Sequence, residues 1–156
     1  MKILIDTRIW SLGLKAPFLE KNDPHMRLAT QAASFLKKTL NRNTDLLFSS
    51  QLIAEIYHVL TQRGKKMPPN QAKLLIGDLL ERGGTLYRPI SQATFLNAMG
   101  ASAASGIHLW DYLVVLPFED MLDRIYTMDP HFRHASFQTL CPIENPLGIW
   151  KTEGQK

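Results

Sequence analysis

The sequence predicts one α/β domain built around a parallel β-sheet. Short apolar segments of strand length alternate with longer segments whose apolar residues recur at helical spacing, as in parallel α/β proteins. The first such segment, Ile3, Leu4 and Ile5, is an unbroken apolar run typical of a strand buried on both faces. Hydrophobic residues make up 45% of the 156 residues, which is enough for a packed core. We expect the domain to span residues 1–150 and a short polar tail to follow at 151–156.

The first third of the chain is predicted to place two helices between two strands. A short helix follows the first strand and ends before Pro17. Asp23 and Pro24 predict the start of the second helix, with Asp23 as the N-cap and Pro24 at the first helical position. Residues 46–48, Leu-Leu-Phe, are then predicted as a second buried strand.

The middle of the chain is predicted to contain three helices and one strand. Ser49 or Ser50 is expected to cap a helix that runs to about residue 63 and presents a broad apolar face. The next helix covers residues 71–82 and ends at a pair of glycines. Residues 85–90 are predicted as the third strand, and Ser91 caps a helix that runs to about residue 104.

The last third of the chain is predicted as one helix followed by two strands. The helix covers residues 108–116 and ends at Pro117. The strands are predicted at residues 124–127 and 137–140.

Four acidic residues stand where the ends of these elements meet. Asp6 and Asp129 each follow a predicted strand, and Glu55 and Asp111 lie in early turns of helices. In a parallel sheet the carboxyl ends of the strands share one edge, so we expect all four side chains to converge there. Each also has a purely structural alternative. Asp6 suits a helix cap, Glu55 a boundary position, Asp111 a favourable first turn, and Asp129 before Pro130 a turn.

A cluster of four carboxylates would have a definite chemistry. The charges would repel one another and raise one another's pKa values unless a cation neutralised them. Oxygen ligands without cysteine favour Mg²⁺ or Mn²⁺. Such ions activate water and stabilise charge on phosphate oxygens, so the pattern favours phosphoryl chemistry.

Four short motifs in this order resemble the PIN domain family. They are Ile5-Asp6-Thr7 with Ile9-Trp10, Ser50 with Leu52 and Glu55, Trp110-Asp111 with Leu113, and Thr127 with Asp129 and Phe132. The resemblance covers the chain from Met1 to about Trp150 and is greatest to the VapC-type toxin ribonucleases of toxin–antitoxin systems.

That resemblance implies a three-layer α/β/α sandwich with a mostly parallel sheet and a metal-dependent endoribonuclease activity. Asp6, Glu55, Asp111 and Asp129 match the four acids that bind Mg or Mn and carry catalysis in the family. Thr7 and Thr127 match polar residues beside those acids, which orient water or ligands. His108 stands where Ser or Thr is usual. An RNA substrate, an antitoxin protein partner and a homodimer are further implications.

The sequence also departs from the family pattern. Arg8 stands where the family often has Asn, and it is expected to contact RNA phosphate, to pair with Glu55, or to be an ordinary surface residue. Pro117 shortens the helix that follows the third acid. Arg63, Lys65 and Lys66 are candidates for RNA binding, with a scattered set of cations elsewhere as weaker candidates: Lys37, Lys38, Arg42, His131, Arg133 and His134.

Two other functions are consistent with parts of the pattern. A phosphatase with Asp6 as nucleophile would need a second acid at position 8, where Arg8 stands. A degenerate PIN-like module that binds RNA or a protein without cleavage would not need all four acids. The net charge of +4 suits a polyanionic partner. Asp6 and Arg8 interrupt the first apolar run too early for a signal peptide, and no apolar run is long enough to span a membrane, so we expect a cytoplasmic protein.

Overall fold

A five-stranded, all-parallel sheet forms the centre of the molecule, and helices flank it, as predicted. The computed structural model describes residues 1–150, so the predicted polar tail at 151–156 lies outside the described residues. The strand order is β3-β2-β1-β4-β5. The strands are β1 (Lys2–Ile5), β2 (Asp45–Ser49), β3 (Thr85–Arg88), β4 (Arg124–Tyr126) and β5 (Ile143–Glu144).

Seven α-helices connect the strands within the described residues. They are α1 (Thr7–Lys15), α2 (Met26–Leu40), α3 (Ser50–Gln62), α4 (Pro69–Glu81), α5 (Gln92–Ser105), α6 (Leu109–Val115) and α7 (Ala135–Gln138). Short 3₁₀ helices follow α1, follow α6 and precede α7. No helix among residues 1–150 is long and apolar enough to cross a membrane.

The apolar run of β1 makes it the buried centre of the sheet. Ile3, Leu4 and Ile5 are almost completely buried because β2 and β4 pair with the two edges of β1 and helices cover its faces. Burying one such side chain stabilises the fold by about 1.5–3 kcal/mol. Trp10 of α1 packs on Phe48 of β2 with ring centroids 5.3 Å apart, which fixes α1 against the end of the sheet.

Helices α1 and α2 approach closely at Gly13. A Cβ atom there would collide with the side chain of Leu36 and would lie 3.3 Å from backbone atoms of Ala32 and Ala33. The missing side chain therefore lets α2 lie directly on α1. This contact holds α1, and the residues at its beginning, in place relative to the sheet.

Two predictions near the ends of the chain were wrong. Residues 137–140 were predicted as a strand, but residues 137–138 are the end of α7 and residues 139–140 belong to the turn after it. The last strand is β5. Nδ1 of His134 accepts a hydrogen bond from the Ser136 amide at 3.1 Å and caps α7. In this helix Phe137 is buried and stacks on Tyr112, with ring centroids 4.7 Å apart.

The second helix also begins later than predicted. Helix α2 starts at Met26, with His25 at the N-cap position. The Asp23 side chain accepts a hydrogen bond from the His25 amide at 2.8 Å, so Asp23 closes a turn just before the helix and does not cap it.

Candidate functional site

The parallel topology brings three chain segments to one edge of the sheet. Asp6 directly follows β1, and Thr127 and Asp129 follow its neighbour β4. On the other side of β1, strand β2 runs straight into α3, whose second turn carries Glu55. These placements follow from strand order alone, because neighbouring parallel strands end at the same edge.

Asp6 is buried at this edge, with only 8% of its surface exposed. It occupies the N-cap position of α1, but its side chain makes no capping hydrogen bond within the described residues. Its Oδ2 instead accepts a hydrogen bond from the Thr127 hydroxyl at 3.1 Å. Thr127 in turn accepts a hydrogen bond from the Asp129 amide at 3.0 Å, so one hydroxyl positions two of the four acids.

Glu55 faces the same place from α3. Its Oε2 accepts a hydrogen bond from the Thr7 hydroxyl at 3.1 Å, which joins the start of α1 to α3. The two threonines predicted to lie beside the acids therefore each donate a hydrogen bond to one of them.

Asp111 and Asp129 both lie close to the side chain of His131. Asp111 lies in the first turn of α6, and Asp129 caps the 3₁₀ helix at residues 130–133 by accepting from the His131 amide at 2.9 Å. Nδ1 of His131 lies 3.3 Å from Asp111 Oδ2 and 3.5 Å from Asp129 Oδ1. One ligand atom from each of the three residues falls within 4.8 Å of the other two.

Burial and the neighbouring charges raise the pKa values of two of the four acids. Burial, followed by the charges of Asp111 and Asp129, raises the pKa of Asp6 to about 7. Burial, followed by the charges of Asp6 and Asp111, raises the pKa of Glu55 to about 8. The ionised cluster is therefore unfavourable on its own at neutral pH, and a cation would relieve the repulsion.

A cavity of about 1180 Å³ opens over these acids. Asp6, Glu55, Asp111 and Asp129 all line it, so the structure brings the four predicted residues together. The basic side chains in its wall are Arg8, Lys15, Arg63 and Lys65. Lys66 lines a smaller adjoining cavity of about 110 Å³. Of the weaker candidates only His131 lines the large cavity; Lys37, Lys38, Arg42, Arg133 and His134 lie away from both.

Arg8 is half-buried in the cavity wall. Burial lowers the pKa of its guanidinium, and its Nε has no hydrogen-bond partner within residues 1–150. The ion pair with Glu55 that the sequence left open does not form among the described residues. Arg8 therefore holds a hydrogen-bond donor in the wall of the site.

Lys15 is a site residue that the sequence did not reveal. Its side chain is largely buried, and Nζ donates a 2.6 Å hydrogen bond to the carbonyl oxygen of Arg63. Burial, with the charge of Arg8 as a smaller cause, lowers the pKa of Lys15. The available signal was spacing, since Arg8 and Lys15 lie two helical turns apart and so share one face of α1.

Comparison with known proteins bears on the fold. No protein-family model and no curated protein matches the sequence. The structure is similar to a chain in the crystal structure of VapBC2 from Rickettsia felis bound to a DNA fragment from their promoter. The TM-score is 0.59 over 93% of this chain and 98% of that chain, at 16% sequence identity. The protein has a PIN-like fold. At this level of identity the likeness extends to the fold alone.

The site contains side chains that suit a divalent metal ion. Asp111, Asp129 and His131 are close enough to hold one ion, and Asp6 and Glu55 add two carboxyls beside them. Carboxylate oxygens are the ligands that Mg²⁺ and Mn²⁺ prefer. The raised pKa values of Asp6 and Glu55 are typical of acids that are grouped around a site for a cation.

Proposed function

We propose that this protein is a divalent-metal-dependent endoribonuclease that hydrolyses RNA phosphodiester bonds, and that it is the toxin of a type II toxin–antitoxin pair. The observation that carries the proposal is the convergence of Asp6, Glu55, Asp111 and Asp129 on one open cavity, with two of their pKa values raised into the neutral range. Acids that served only as caps or boundary residues would not be expected to gather in this way.

In this proposal the four acids are the metal ligands and catalytic residues. A bound Mg²⁺ or Mn²⁺ would supply an activated water and stabilise charge on the phosphate. Thr127 holds Asp6, and Thr7 holds Glu55, in fixed orientations through hydrogen bonds of 3.1 Å each. The pKa of about 8 belongs to Glu55 in the metal-free cluster, so a bound cation would favour the ionised carboxylate that can act as a ligand.

The cavity wall suits a single-stranded polyanion. Arg8, Arg63 and Lys65 lie beside the acids and can neutralise phosphates on either side of the scissile bond, while Lys66 extends this basic wall. Trp110 lines the same cavity with 48% of its surface exposed, so its ring is available for stacking on an unpaired base.

The first experiment is a cleavage assay. Purified protein is incubated with a structured RNA that has single-stranded loops, in Mn²⁺, in Mg²⁺ and in EDTA. We expect cleavage with either metal and none with EDTA. Cleavage that survives EDTA would contradict the metal mechanism, whereas RNA binding without cleavage in any metal would favour the non-catalytic alternative.

We also propose an antitoxin partner and a homodimer. The sequence resemblance to VapC-type toxins and the structural likeness to a chain of VapBC2 support the partner. A basic side chain of the antitoxin could occupy the acidic cavity and compete with the metal. The homodimer is supported by α5, which carries no charged residue and exposes Phe95, Leu96 and Met99.

A further inference from the structure

We propose that His131 is a metal ligand, and that with Asp111 and Asp129 it forms a mixed nitrogen and oxygen site that favours first-row transition-metal ions such as Mn²⁺ over Mg²⁺. The inference deepens the proposed function by assigning a metal preference to the same site. Because its test measures metal binding, it can succeed or fail independently of RNA cleavage.

The distances fit coordination of a single ion. Two ligand atoms that each lie about 2.1 Å from one ion, at angles between roughly 90° and 113°, are about 3.0–3.5 Å apart. Nδ1 of His131 is 3.3 Å from Asp111 Oδ2 and 3.5 Å from Asp129 Oδ1. The two separations from His131 are therefore those of neighbouring ligands on one small ion, and the ligand atoms of Asp111 and Asp129 lie within 4.8 Å of each other.

The backbone that carries this imidazole is held in place by local contacts. Asp129 Oδ1 accepts a hydrogen bond from the His131 amide at 2.9 Å, and Pro130 between them restricts the turn. Phe132, the next residue, is completely buried and anchors the segment in the core. The spacing Asp-Pro-His thus presents a carboxylate and a ring nitrogen to the same point.

The electrostatic surroundings also favour a cation between these three residues. Asp6 lies close enough to Asp111 and Asp129 that their charges raise its pKa. Among residues 1–150, His131 makes its two ion-pair contacts with carboxylates, and the basic side chains Arg8 and Lys15 belong to the wall formed by α1. A cation held by His131 would offset the negative charge of these carboxylates.

Ligand chemistry then determines which ion is preferred. Mg²⁺ favours an all-oxygen octahedral shell, whereas imidazole nitrogen binds transition-metal dications with an affinity that rises from Mn²⁺ towards Cu²⁺. Four carboxylates alone would make Mg²⁺ and Mn²⁺ near-equivalent. One imidazole in the same shell shifts the preference towards Mn²⁺ and heavier ions.

The test compares wild-type protein with His131→Asn and with a matched control, His25→Asn. His25 lines the same cavity but contacts a single carboxylate, Asp23, at 3.4 Å. Both variants replace an exposed imidazole with a smaller polar side chain, and the Asp129 contact to the backbone amide at position 131 remains. Circular dichroism and thermal unfolding verify that each variant folds.

Titration calorimetry and pulsed electron paramagnetic resonance of bound Mn²⁺ provide the measurements. We expect His131→Asn to weaken Mn²⁺ binding at least about tenfold, since losing a residue that only supports a ligand already costs that much. Mg²⁺ affinity should change by less than about threefold, and His25→Asn should match wild type. Spin-echo modulation from a nitrogen nucleus should be present in wild type and in His25→Asn and absent from His131→Asn.

Equal Mn²⁺ affinity in wild type and His131→Asn, with no nitrogen modulation in either, would overturn the inference even if RNA is cleaved. An equal loss of Mn²⁺ and Mg²⁺ affinity would also overturn the proposed selectivity. Nitrogen modulation that depends on His131, in a protein that cleaves no RNA, would support the metal site and reject the proposed nuclease function.

Discussion

At the scale of single residues, Asp6 links the fold to the site. It ends the central strand and stands at the N-cap position of α1, yet its carboxyl is turned to Thr127 and to the other acids and makes no capping bond in the described structure. Capping is a sufficient reason for Asp at such a position. The observed contacts show that the structure does not use Asp6 in that way.

Asp6→Asn should strongly reduce the proposed RNA cleavage without weakening the fold. Asn keeps the shape and can still accept the hydrogen bond from Thr127, but it removes a charge that the buried cluster disfavours. We expect cleavage to fall by about 10²–10⁴-fold. We expect the metal-free protein at pH 8 to be as stable as wild type or more stable.

Cleavage rates and thermal unfolding with EDTA measure the two effects, and Asp78→Asn on the exposed face of α4 is the control. A variant that unfolds at a clearly lower temperature would show that Asp6 has a mainly structural role.

At the scale of secondary structure, local signals located most elements. Ser91 caps α5 with a hydrogen bond of 3.1 Å, as predicted, and Ser49, one of the two serines that the sequence offered, caps α3 with a hydrogen bond of 3.2 Å. Residues 137–140 show where local signals fail, because four residues with two apolar side chains fit a strand and a helix equally well. The stacking of Phe137 on Tyr112 decides between them, and that contact joins distant parts of the chain.

For the candidate site too, the sequence predicted some residues and missed others. The positions of its four acids follow from strand ends in a parallel sheet, which the sequence pattern indicates. The contributions of Lys15 and His131 depend on side-chain contacts across the fold: Lys15 with the Arg63 carbonyl, and His131 with Asp111. Helical spacing places Lys15 on the same face of α1 as Arg8, but it does not indicate either of these contacts.

Helix α5 is the predicted contact surface of the proposed homodimer. Only Ala98 of α5 is buried, Leu96 is 60% exposed, and exposed Gly100 and Ala104 would let a second helix approach closely. If two copies pair through this helix, Leu96→Asp should convert the dimer into a monomer, because it places a charge in an apolar contact.

Light scattering measures the mass of each variant. Leu74→Asp, which changes a leucine on α4 that is 68% exposed, is the matched control and should remain dimeric. A dimer that persists in Leu96→Asp would place the contact elsewhere, and a monomeric wild type would remove the homodimer from the proposal.

At the scale of the whole molecule, the acidic cluster opposes the stability that the core provides. The apolar strands β1 and β2 are almost completely buried, whereas Asp6 and Glu55 have pKa values in the folded state, about 7 and about 8, well above their ordinary values. For such groups, stability is greatest below the unfolded-state pKa and is lost as the pH rises through the folded-state pKa.

The stability of the metal-free protein should therefore fall as the pH rises from about 5 to about 8.5. Mn²⁺ should oppose this loss, since it binds the ionised carboxyls of the folded state and stabilises that state by linkage. Thermal unfolding across this range, with Mn²⁺ and with EDTA, provides the measurement.

The double variant Asp6→Asn with Glu55→Gln is the control, and its unfolding temperature should depend much less on pH. If the unfolding temperature of the wild type depends on pH as little as that of the double variant, Asp6 and Glu55 do not cause the predicted loss of stability.

The hydrogen bond from Thr127 to Asp6 spans 121 positions of the sequence, and this has a consequence for the protein while it is being synthesised. A ribosome adding about 5–20 residues per second needs roughly 6–24 seconds to pass from the first of these residues to the second. During that interval the nascent chain lacks Asp129 and His131, so it carries no complete site. A chain whose translation stops before β4 therefore lacks both side chains, and the acidic cavity is assembled only after β4 has emerged and paired with β1.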